Sequence, residues 1–218
     1  MSRTPRVLGW LALAGLATGL GAAFAYAPVE VAQGNVQRIM YLHLPSIGTA
    51  YVAFALVFLG SLAYLVTRRL GWDRLAAAAA ELGVLFTGLT IVSGSVWGRP
   101  TWGTWWTWDA RLTSTAVMLL VYVGYLLLRG MVEETDRRAR FAGVVGIVAA
   151  ANIPIVHFSV TWWRTLHQPP TILTPGPSPI DRSLWLVVAV NFVAFLLLFA
   201  YFLTRRMEIA RLEEEVTG

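Results

Sequence analysis

The chain has 218 residues, 57% of them hydrophobic and only 13% charged, too little polar surface for a soluble domain of this length. It has no cysteine, which excludes a disulfide framework, thiolate metal centres, iron–sulfur ligation and a cysteine nucleophile. The net charge of +5 comes entirely from arginine, with no lysine at all, and in a membrane protein such charge reports topology before it reports nucleic acid or an acidic substrate.

Six apolar runs are long enough to cross a bilayer, which takes ~20 helical residues. In chain order they cover residues 7–27, 47–66, 75–96, 112–128, 141–158 and 184–203. The first is read as a retained helix rather than a signal peptide: its apolar stretch is too long, and Pro28 would follow the cut after Ala25-Tyr-Ala27. The first outer loop carries Val36, Ile39, Met40 and His43 at helical spacing, with Asn35 placed to cap and Pro45 to stop. This predicts a short amphipathic helix along the membrane interface, before the second span. Glu81 in the third span is an intramembrane acid near the cytoplasmic end, with no relay partner visible in the sequence. Between spans three and four lies a tryptophan-rich loop, 97–111. The last outer loop holds Pro169, Pro170, Pro175, Pro177 and Pro179 and is expected to be irregular; residues 205–215 read as a frayed, charged helix.

Arginine placement sets orientation. Arg3, Arg6, Arg68, Arg69, Arg74, Arg129, Arg137, Arg138, Arg140, Arg205, Arg206 and Arg211 fall on one side of the membrane, and Arg38, Arg99, Arg111, Arg164 and Arg182 on the other. The excess belongs inside. The expected fold is therefore all-α: one polytopic domain over 1–218, six transmembrane helices, and both termini cytoplasmic. All three histidines, His43, His157 and His167, then lie toward the outer face with the tryptophans.

Trp97, Trp102, Trp105, Trp106 and Trp108 fall within twelve residues, and Trp162-Trp163 join them from just beyond the fifth span. Tryptophan anchors membrane interfaces, which suffices for Trp10, Trp72 and Trp185 but not for so dense a cluster. A haem needs an aromatic platform, neutral imidazole for iron, and cationic groups for its propionates. The tract supplies the platform, His43 and His167 the imidazoles, and Arg99, Arg111 and Arg164 the cations. Interface packing is the plain alternative for His43, and helix packing the preferred reading of His157. Asp109 sits at the head of the fourth helix, where a carboxylate caps and is favoured by the helix dipole; holding ligand directly is its second reading. No phosphate-binding loop and no serine–histidine–acid arrangement stands out, so no enzyme is expected.

The stretch Trp97-Gly-Arg-Pro-Thr-Trp-Gly-Thr-Trp-Trp-Thr-Trp-Asp109 resembles the "WWD" signature of the haem-handling proteins of cytochrome c maturation. Within that family the chain is similar to the short, six-span CcmC (haem exporter protein C) type, also through Arg38-Ile-Met-Tyr-Leu-His43-Leu-Pro and the run from His157 to His167-Gln. The resemblance implies a multi-pass protein of the bacterial inner membrane that holds non-covalent b-type haem transiently on its periplasmic face. It further implies delivery to a CcmE-like haem chaperone in c-type cytochrome biogenesis, beside CcmA, CcmB and CcmD-like subunits. His43 and His167 would be the metal ligands. A haem ligase and a quinone or electron-transfer anchor are the alternatives.

Overall fold

The computed structural model describes residues 3–168 and 181–217; the proline-rich outer loop lies outside them. Among these residues seven α-helices form six membrane-length spans: α1 (Arg3–Gly21), α2 (Met40–Thr67), α3 (Leu70–Trp102), α4 (Ala110–Met131), α5 (Thr135–Ala149), α6 (Asn152–Trp162) and α7 (Arg182–Thr217). Helices are the form to expect, because a spanning segment must satisfy every backbone polar group internally. Three hydroxyls of α3 are satisfied within their own helix: Thr87, Thr90 and Ser93 donate to the carbonyls of Gly83, Phe86 and Leu89, one turn back.

The antiparallel pair α2–α3 is the centre of the bundle, joined by Arg68 in a left-handed conformation (φ 57°). Small residues let these helices approach, as is usual where lipid supplies no hydrophobic drive. Gly60 lies against Ala76 and the Trp72 carbonyl, and Gly83 lies under the Phe54 ring, which stacks on Tyr122 of α4 at 3.6 Å between centroids. On one flank α7 packs against α1, α2 and α3; on the other α4 packs against α3, α5 and α6. Asn191 of α7 donates to the carbonyls of Gly19 and Val187, fixing the α1–α7 crossing.

Several expectations are revised. The helical segment ahead of the second span exists, as a 3-10 turn at Asn35–Ile39, but it runs directly into α2. Pro45 is accommodated inside α2, and Asn35 accepts a hydrogen bond from Arg38 Nε at 3.0 Å instead of capping. The fifth span is two helices. Pro154 has no N–H for the Ala150 carbonyl and its ring crowds it, so α5 stops at Ala149 and α6 restarts at Asn152. The tryptophan-rich loop is shorter than 97–111: residues 97–102 complete α3, passing over Pro100, and Ala110 and Arg111 already belong to α4. Glu81 has a partner after all, since Arg206 of α7 grips it with two hydrogen bonds of 2.6 and 3.0 Å. A proton relay is not needed to explain that acid. The charged C-terminal segment continues α7 without a break.

Candidate functional site

At the tryptophan-bearing end the helices part around a cavity of about 560 Å³, within the range that holds organic cofactors. Its walls come from α2, α3, α4, α6 and α7, with Gln33 ahead of the 3-10 turn, Trp106 between α3 and α4, and His167 and Gln168 after α6. All three histidines line it, with Trp97, Trp102, Trp106 and Arg111.

His43 enters from the first turn of α2. Its Nδ1 lies 3.2 Å from Ser93 Oγ on α3. That hydroxyl spends its own proton on the Leu89 carbonyl at 2.7 Å, so it accepts from Nδ1–H and leaves His43 Nε2 as an unprotonated lone pair. A second-layer hydrogen bond of this type is how a ligating histidine is held in one tautomer. The ring is wedged between Trp97, edge-on at 5.8 Å, and the bare Cα of Gly94, where a Cβ would come within 2.9 Å of His43 Cε1. Trp97 is fixed in turn by its Nε1 donating to Gln33 at 2.7 Å.

His167 comes from the segment after α6 and meets Trp102 edge-on, centroids 4.8 Å apart. Burial, with the Arg111 charge adding to it, pushes its imidazole down to about 4 from an ordinary 6.5, so it is neutral and able to ligate at physiological pH. Among the described residues its Nδ1 is buried without a hydrogen-bond partner, as are the Trp106 indole N–H and the Tyr51 hydroxyl, both from cavity-lining residues. An apolar pocket with a few unanswered polar atoms suits a large, flat, sparsely polar guest. Among the described residues no cluster of three metal-ligating side chains forms, so the imidazoles suit a metal that brings most of its own ligands.

Asp109 organises the entrance. One carboxylate oxygen accepts from Leu112 N at 2.9 Å, capping α4, and the other accepts from Leu166 N at 3.0 Å, tying the His167 segment to the head of α4. The capping role read from the sequence is present, and Asp109 does not line the cavity. Arg111 donates from Nε to Ser159 Oγ and from Nη2 to the His157 carbonyl, both at 3.1 Å, which docks α6 onto α4. Among the described lining residues it is the one charged side chain.

The chain matches the haem exporter protein C (CcmC) family over residues 1–217. It is 42% identical over 216 residues to the haem exporter protein C of Bradyrhizobium diazoefficiens, covering 97% of this chain and 82% of that protein. The Escherichia coli K12 protein of that name is 40% identical over 177 residues, covering 80% and 72%. The Haemophilus influenzae one is 34% identical over 214 residues, covering 96% and 85%. The chain belongs to the CcmC family.

Within this CcmC-family site the sequence-predicted residues divide. His43, His167, Trp97, Trp102, Trp106 and Arg111 converge on the cavity. Trp105 and Trp108 are exposed and turned away from it, because the reversal at Gly103 (φ 79°) gives the tract two faces. Arg99 donates to the Gly103 carbonyl and closes the end of α3; Arg164 is exposed. Neither lines the cavity. The sequence reading passed over Gln33, Tyr51 and Phe192 and took Trp185 for an interface anchor, yet all four line the cavity; it preferred a packing role for His157, which lines the wall. The signal for His157 was Pro154: a helix restarted there is re-phased, and the residue three places on need not face where an unbroken helix would put it.

Proposed function

We propose that this cavity is the periplasmic-side haem site of a c-type cytochrome maturation system, and that the protein presents haem to a CcmE-like chaperone, working with CcmA, CcmB and CcmD-like subunits. The observation that carries the reading is the convergence of His43 and His167, from opposite sides of the tryptophan tract in sequence, on one aromatic-walled cavity. Haem is cargo here. When bound it supplies an iron with two axial positions to fill and a carboxylate edge.

The chain's own residues then have distinct tasks. His43, held by Ser93 in the tautomer with Nε2 free, and neutral His167 supply imidazole. Trp97, Trp102 and Trp106 exclude water and pack on the macrocycle. Arg111 keeps Nη1 without a protein partner among the described residues and can take a propionate. Asp109 holds the His167 segment through a single exposed backbone bond, so one ligand can move while the other stays. Haem release to a partner then proceeds one bond at a time.

The test is the absorption and electron-spin spectrum of the purified protein with His43→Ala or His167→Ala. Each variant should lose the low-spin bis-imidazole signature and hold less haem. Unchanged haem content and ligation in both would refute the assignment.

A further inference from the structure

Two residues lining the cavity also face out of the bundle. Ala189 and Val193 of α7 contribute to its wall, yet both are exposed, Val193 by 56%. A side chain that lines an internal space and also meets the surroundings marks a breach in the wall. The packing agrees. Among the described residues α7 packs against α1, α2 and α3, whereas α6 packs against α4, and no packed seam joins α7 to α4 or α6.

The breach is not at the aqueous end. Val193 stands eleven residues beyond Arg182, the start of α7, or roughly 16 Å along the axis. That is about half of a ~30 Å hydrocarbon core, so the surroundings at that height are lipid. The wall there is apolar: Ala189, Phe192 and Val193 of α7 form it. Arg111 lies in the first turn of α4, at the tryptophan-bearing end and thus at headgroup height.

We infer that this gap is a lateral portal through which a planar amphiphile dissolved in the outer half of the bilayer slides into the cavity. The inference rests on the haem reading of the site and supplies its route. A lipid-dissolved porphyrin keeps its carboxylates at the interface and its macrocycle in hydrocarbon, the same arrangement as Arg111 above the apolar wall. Entry from the side preserves both environments throughout, so no step exposes the macrocycle to water or buries a carboxylate in lipid.

The absence of cysteine makes the test clean. Val193→Cys protein is reconstituted in vesicles whose lipid carries haemin, after modification with either a pyrene maleimide or a methylthio group. Uptake is followed by the bis-imidazole spectrum. The pyrene form should load at least an order of magnitude more slowly than the methylthio form, while pyrene on Val144→Cys, on the lipid face of α5, changes nothing. The portal is overturned if pyrene at 193 leaves uptake within twofold of the methylthio form, or if pyrene on Thr101→Cys at the outer rim slows uptake and pyrene at 193 does not. Failure of unmodified wild type to load at all would refute the haem reading, and the portal with it.

Discussion

His43 has value as a ligand because of what Ser93 does with a single proton. With its own proton on the Leu89 carbonyl the serine accepts from Nδ1–H, which favours the tautomer that leaves Nε2 free. Ser93→Ala removes that constraint while leaving α3 intact, and haem affinity should fall by roughly tenfold, at the lower end of what losing a second-layer partner costs. Haem titration of the purified variant measures it, with circular dichroism to show unchanged helix content. An affinity equal to wild type would mean that packing by Trp97 and Gly94 orients the ring unaided. Asp109 invites a graded comparison. Alanine loses both the α4 cap, worth about 1 kcal/mol, and the anchor of the His167 segment. Asparagine keeps one carbonyl oxygen. We expect Asp109→Ala to disturb the His167-dependent part of the spectrum more than Asp109→Asn does; the reverse order would place the carboxylate's charge, and not its geometry, in control.

Among elements, α3 carries the most information, since it presses on α2 along its length and delivers Trp97 and Trp102 to the cavity. Two of its glycines make opposite predictions. A Cβ at Gly83 would lie 2.3 Å from Phe54 Cε1, and that ring cannot withdraw because it is stacked on Tyr122. Gly83→Ala should cost about 1–3 kcal/mol by overpacking. At Gly88 nothing lies within 4 Å, so Gly88→Ala should stabilise by about 0.5–1 kcal/mol through helix propensity alone. Thermal unfolding in detergent distinguishes them; matching shifts would show that the α2–α3 seam is slack. The six spans were legible because hydropathy over ~20 residues is a local property. The break at Pro154 was latent in the sequence, but its consequence, the re-phasing of His157 onto the cavity wall, depends on α4 receiving α6 through Arg111. The division of the tryptophans into inward and outward sets was not legible, because it turns on where α3 ends and how Gly103 reverses the chain. The Glu81–Arg206 pair joins helices far apart in sequence, and no local pattern announces it.

For the molecule as a whole, the ion pairs and the cavity occupy opposite ends. Asp73 at the head of α3 is gripped by Arg129 at the end of α4 through bonds of 2.6 and 2.7 Å, both side chains almost buried. The Arg68–Arg69 link belongs to that end as well, by the alternation of antiparallel spans, as does the charged end of α7. The opposite end carries Trp97, Trp102, His43 and the reversal at Gly103. Such polarity is what the retention of arginine on the cytoplasmic side produces, and it predicts an orientation that cysteine chemistry can check. Thr101 and Glu133 are both exposed, at opposite ends of the bundle. In intact cells whose outer membrane admits the reagent, a charged maleimide that cannot cross the inner membrane should label Thr101→Cys. It should reach Glu133→Cys only after that membrane is permeabilised. The reverse pattern would put the tryptophan turn in the cytoplasm. The cavity would then be loaded from the inner leaflet, and hand-over to a periplasmic chaperone would fail with it, whatever the ligation spectra show.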